Sequence, residues 1–215
     1  MDGRHQRGDR TRHAVATKAA ALASTDGLAG VSIGQIADEL GIAKSSVQVA
    51  YPRKKDLQIA TITAATDIFV TAVIAPALSQ PKGIQRLLAL IDNWVDYISN
   101  RALPGGCFMG ATFAEFDSKP GPVRDALAET RKQWLGLLER EAAAAQSADQ
   151  VPAEPPAPLL AFEIDALLAS ANIARNLHDD ESALHVARQI IHLRLGINPT
   201  VTAPVTTKTR RRPTR

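Results

Sequence analysis

Apolar positions recur at helical spacing along most of the chain, and no stretch sustains the period-two alternation of a half-buried strand. Ile33, Ile36, Ala37 and Leu40 make one apolar face on a short segment that opens at Ser32 and closes at Gly41. A second short segment from Lys44 to Tyr51 turns Val47 inward and leaves Lys44, Ser45, Ser46 and Gln48 outward. Beyond it the pattern predicts a long helix from Leu57 to Ala77 and another from Gly83 to Arg101, with Leu87, Ile91, Trp94 and Ile98 on one face. A short helix is expected after Pro104-Gly105-Gly106 and through Phe116, then one from Pro120 or Pro122 through Trp134 to about Ala145. Proline density makes 146–157 a loop, and two final helices follow over 158–177 and 180–195. The expected fold is all-α with about nine helices.

The first two short segments carry the clearest chemistry. Ser32 followed by Gln35 is a capping box, so a helix can start there with its first amides satisfied. Gly41 can take the positive φ that ends it, and small Ala37 allows a close crossing. Two short helices joined tightly, the second with a polar outer face, form a helix-turn-helix whose second helix suits the major groove of DNA. Pro52-Arg53-Lys54-Lys55 follows at once and offers cations to phosphate. An ordinary helical hairpin is the alternative, disfavoured by the donors along the second helix.

Charge is divided along the chain. Residues 1–57 carry nine Lys/Arg and six Asp/Glu, 58–207 carry eleven and sixteen, and 208–215 add five cations, for the overall +3. Basic ends around an acidic middle fit phosphate contacts. The expected organisation is a flexible basic arm at 1–9, a DNA-binding domain at 10–57 around the helix-turn-helix, a larger helical domain at 58–197, and a basic tail at 198–215 whose Thr/Pro/Val-rich start makes it disordered. The single cysteine, Cys107, precludes a disulfide framework within the chain and points to a reducing compartment. No apolar run reaching a membrane span is read along the sequence, so a cytoplasmic protein without a membrane partner is expected. There is no Walker loop, cysteine zinc cluster, nucleophile elbow or triad, so neither enzyme activity nor a cofactor or metal is expected.

The run from Ala19-Ala20 through Gly27-Leu28, Ser32-Ile33, Ile36-Ala37, Leu40-Gly41-Ile42, Lys44-Ser45 and Tyr51 to Lys54 and Leu57 resembles the DNA-binding domain of TetR-family transcriptional regulators. The resemblance implies a three-helix DNA-binding domain, a larger helical ligand-binding and dimerisation domain, a homodimer, and a palindromic double-stranded operator. It also implies repression relieved by a small, largely apolar ligand; a nonspecific or architectural DNA-binding protein is the alternative. The region Leu103–Leu127 is similar to one C-terminal subgroup of the family.

The DNA-contacting residues expected on these grounds are Arg12, Ser32, Lys44, Ser45, Ser46, Gln48, Tyr51 and Lys54. This chain departs from the family where Ala43 replaces a capping Ser or Thr, Gln48 an aromatic, and Ala50 a histidine. An amide at Gln48 can pair bidentately with adenine, which makes it a specificity candidate. Aromatic residues concentrate in the middle helices, so Trp94, Tyr97, Phe108, Met109, Phe113 and Trp134 are the ligand candidates, with plain core packing as the alternative. In the last two helices, Leu160, Ile164, Leu167, Ala171, Ala187 and Ile191 form apolar stripes expected to pair two chains in a four-helix interface, or else to be internal core.

Overall fold

The computed structural model describes residues 3–197. Its helices are α1 (Gly3–Asp26), α2 (Ile33–Leu40), α3 (Lys44–Ala50), α4 (Lys54–Leu78), α5 (Ile84–Ser99), α6 (Phe108–Phe116), α7 (Pro122–Ser147), α8 (Ala157–His178) and α9 (Ser182–Arg194). The described residues form no strand.

Small side chains explain the N-terminal unit. Ala16, Ala19, Ala20 and Ala23 form the inner face of α1 and let Leu28 of the following turn, Ile36 and Ala37 of α2 and Val47 of α3 pack close to its axis. Helix α4, with Leu57, Ile62, Ala64 and Ala65 buried, packs along α1, so the long helix beyond the helix-turn-helix rests directly on the N-terminal unit. The larger core is built from Leu87, Leu90, Ile91 and Ile98 of α5, Leu138 and Ala142 of α7, and Leu160, Ile164 and Leu168 of α8. Buried Glu141 is neutralised by Arg86 at 3.3 Å and accepts the Gly83 N–H at 3.0 Å, which ties the start of α5 to α7.

Helix α4 changes pitch near its end. Residues Val70–Ile74 form a π-helical turn in which the Ala75 N–H reaches the Val70 carbonyl, immediately before Pro76, which has no N–H to continue the regular ladder. Asn93 of α5 donates to the Val73 carbonyl within this turn at 3.0 Å.

Two expectations are corrected. Residues 3–9, expected as part of a flexible arm, are helical as the first turns of α1, in a stretch with no apolar pattern to reveal a helix. Helices α4 and α8 also contain windows long and apolar enough to cross a membrane, contrary to the sequence reading. Both bury part of that window in the core, and α8 is apolar because it carries stripes on two faces. The basic tail at 198–215 lies outside the described residues.

Candidate nucleic-acid interface and ligand cavity

The capping box forms as the sequence requires. The Gln35 N–H donates to Ser32 Oγ at 3.2 Å, and the Ser32 N–H donates to Gln35 Oε1 at 3.0 Å. Gly41 ends α2 in the left-handed region at φ 63°. Ala43 provides no side-chain cap to α3, and Val47, fully buried, pins that helix to the domain. Lys44, Ser45, Ser46 and Gln48 are all exposed around it, as is Val49, which sequence reasoning passed over.

Three of the expected DNA contacts also have structural partners. The half-buried Tyr51 donates its hydroxyl to the Arg12 carbonyl at 3.1 Å, which fastens the end of α3 to α1. Burial raises the Tyr51 pKa despite the nearby Arg12 cation. Lys54 Nζ donates to the Ala29 carbonyl at 3.0 Å, closing the turn after α1. Ser32 is committed to its cap but lies at the exposed start of α2. Arg53, by contrast, folds back on Asp56 through two bonds of 2.7 and 3.1 Å. Between the early turns of α1 and the outer face of α3 runs a groove of about 500 Å3. Arg7, Asp9 and Arg12 line one wall, and Ser45, Ser46 and Val49 the other.

A second cavity, about 520 Å3, lies in the larger domain between α4, α5, α6, α7 and α8. Of the ligand candidates, Trp94, Met109, Phe113 and Trp134 line it. Phe69, outside the set the sequence suggests, lines it too, edge-on to Trp134 with ring centroids 5.2 Å apart. Tyr97 and Phe108 are corrected: both are buried and neither lines the cavity, Tyr97 lying behind Phe69 at 5.6 Å. A hydrogen-bonded polar cluster stands in the wall. Asp165 accepts Arg131 Nη2 at 2.6 Å and the Trp134 indole N–H at 3.1 Å, and the Arg131 guanidinium lies 5.8 Å from the Phe113 ring centre. Half-buried Cys107 also reaches the wall, and burial pushes its thiol pKa up against the opposing pull of the Gly110 and Met109 amides.

The expected dimer stripe is corrected most. Leu160, Ile164, Ala171, Ala187 and Ile191 are buried within the single chain and belong to its core; Ile164 is 1% exposed. Leu167 alone of that set is partly accessible. The opposite faces of α8 and α9 expose Leu159, Phe162, Ile173, Leu177, Val186, Ile190 and Leu193, with Phe162 60% accessible. Glu163 and Arg194 bridge this face through paired bonds of 2.7 Å, and the arginine holds the Glu163 carboxyl below its ordinary pKa.

Residues 83–191, just over half of the chain, match the family model described as tetracyclin repressor-like, C-terminal domain. Solved structures show the same fold over nearly the whole described chain. A TetR transcriptional regulator from Chloroflexus aurantiacus J-10-FL is similar with a TM-score of 0.78 at 21% identity, covering 90% of this chain and 98% of that one. A TetR-family regulator from Agrobacterium tumefaciens gives 0.79 at 17% identity, with 87% and 98% covered. AibR, solved in complex with isovaleryl coenzyme A and operator DNA, gives 0.67 at 16% identity, with 86% and 98% covered. No curated protein matches the chain.

Proposed function

This chain belongs to the TetR family of transcriptional regulators, and on that premise we propose a homodimeric repressor that leaves a palindromic operator when a small apolar ligand enters its cavity. The α1–α3 unit over 10–57 binds DNA, and the helices over 58–197 bind ligand and the second chain. Lys44, Ser45 and Ser46 meet the duplex from α3, Gln48 reads a base edge, and Arg12 and Lys54 flank them with positive charge. The protein acts in the cytoplasm and has no catalytic step.

One observation carries this reading: two helices that line the cavity also pack against the DNA-binding unit. Thr66, Phe69, Val70 and Ile74 of α4 line the cavity, while the other end of α4 begins three residues after Tyr51. Met109, Gly110 and Phe113 of α6 line it too, and α6 packs on α1. A ligand that fits better when these helices spread shifts the population toward a dimer whose recognition helices no longer match groove spacing. Only differential affinity for the two arrangements produces that shift.

Both tryptophans of the chain, Trp94 and Trp134, line the cavity, which supplies the test. Apolar compounds are screened for quenching of intrinsic fluorescence, and those that quench are added to the protein–operator complex. The proposal expects quenching compounds to be the ones that release DNA. Release by compounds that leave the fluorescence unchanged overturns it.

A further inference from the structure

The recognition helix has an outward direction that can be fixed from its anchor. Val47 is fully buried, and successive side chains on an α-helix are offset by about 100°. Ser45 and Val49, two residues either side of Val47, therefore lie within about 20° of the direction opposite the anchor. Gln48 and Ser46 point about 80° to either side of that direction. The centre of the outward face is thus a small hydroxyl and an isopropyl group, with the larger polar side chains at its margins.

Val49 is 78% exposed, although every other exposed residue from Lys44 to Gln48 is polar. It also forms part of the groove whose far wall carries Arg7 and Arg12, with Asp9 between them. A phosphate strand following those two cations would bring base edges over Val49. In the major groove the apolar group presented by a standard base is the C5 methyl of thymine.

We infer that Val49 is a specificity residue that reads thymine, its isopropyl group packing on the C5 methyl at one position of each half-site. This inference rests on the operator reading above and extends it from the polar residues to an apolar contact. It complements Gln48, whose amide suits adenine at a neighbouring position. Loss of one buried methyl contact corresponds to about a four-fold change in affinity, and two half-sites give about fifteen-fold.

The test uses the full chain and duplexes selected with it from random DNA. Each dT of the selected half-site is replaced by dU in turn, which removes only the methyl group. One position in each half-site should weaken wild-type binding by about four-fold, Val49→Ala should abolish the dT/dU difference there, and Val49→Ile should keep it. Because Val49 is exposed, unchanged thermal unfolding of both variants confirms intact folding. If no dU substitution weakens wild-type binding, or if Val49→Ala keeps the full dT/dU ratio, Val49 does not read thymine and the operator reading survives. Failure to enrich any duplex sinks the operator reading and this inference together.

Discussion

The carboxylate of Glu115, on α6, accepts the backbone N–H of Ala29 at 2.9 Å, in the turn that leads from α1 toward the helix-turn-helix. On the other side of the same residue, the Ala29 carbonyl accepts Lys54 Nζ at the start of α4. Two of the helices that line the cavity therefore grip one residue of the DNA-binding unit through its donor and its acceptor. Gly27 makes the approach possible: it sits at φ 75°, and a β-carbon there would overlap Glu115 Oε1.

Gly27→Ala should destabilise the protein by about 1–3 kcal/mol, because it adds both backbone strain and a clash. Glu115→Ala should cost about 1 kcal/mol and accelerate hydrogen exchange at the Ala29 amide. The coupling account further expects a ligand that releases wild-type protein from DNA to release Glu115→Ala less completely. Equal release, with equal ligand affinity, removes Glu115 from the coupling.

Separate substitutions divide core from interface on the last two helices. Phe162→Glu, on the exposed face, should yield a monomer by analytical ultracentrifugation with its helical content intact. Ile164→Ala, in the core, should lower stability by about 2–5 kcal/mol while the folded protein stays dimeric. A dimeric Phe162→Glu protein would remove the outer face from the proposed interface.

The difficulty of reading that interface has a physical cause. Helix α8 carries Leu160, Ile164 and Leu168 on one side and Leu159, Phe162, Ile173 and Leu177 on others, so hydrophobic periodicity cannot rank one stripe above another. Burial inside the single chain decides it. By contrast, the Ser32–Gln35 box and the Gly41 cap are set by a few neighbouring residues and were fully legible. Phe69 and Val49 escaped for opposite reasons. The first belongs to a long apolar helix whose cavity-facing side depends on distant partners. The second is an apolar residue whose outward direction follows from inward Val47 two positions earlier, but an isopropyl group carries none of the hydrogen-bonding chemistry that marks a DNA contact.

Cys107 gives a pH-linked prediction. Its raised pKa means that the folded state holds the thiol proton more tightly than the unfolded chain. Its contribution to stability is therefore complete below the ordinary thiol value of about 8.5 and declines as pH rises toward the folded value. At pH 8, dithionitrobenzoate should react with native protein at least about ten-fold more slowly than with urea-unfolded protein, since the thiolate is the nucleophile. Equal rates would show an accessible, ordinary thiol at this position.

Sequence reading by α3 is the central claim, and Lys44 and Gln48 should divide the work. Lys44→Ala should weaken binding about equally on all duplexes and lower its salt dependence, as loss of a phosphate contact does. Gln48→Ala should weaken preferred sites more than others, by about 1–3 kcal/mol for each lost bidentate contact.

Footprinting of the full chain on fragments selected from genomic DNA tests that claim most directly. A short protected palindrome, with half-site centres about 34 Å apart, altered in preference by Gln48→Ala, is the predicted result. A diffuse ladder with no preferred site, unchanged in pattern by that substitution, would contradict it.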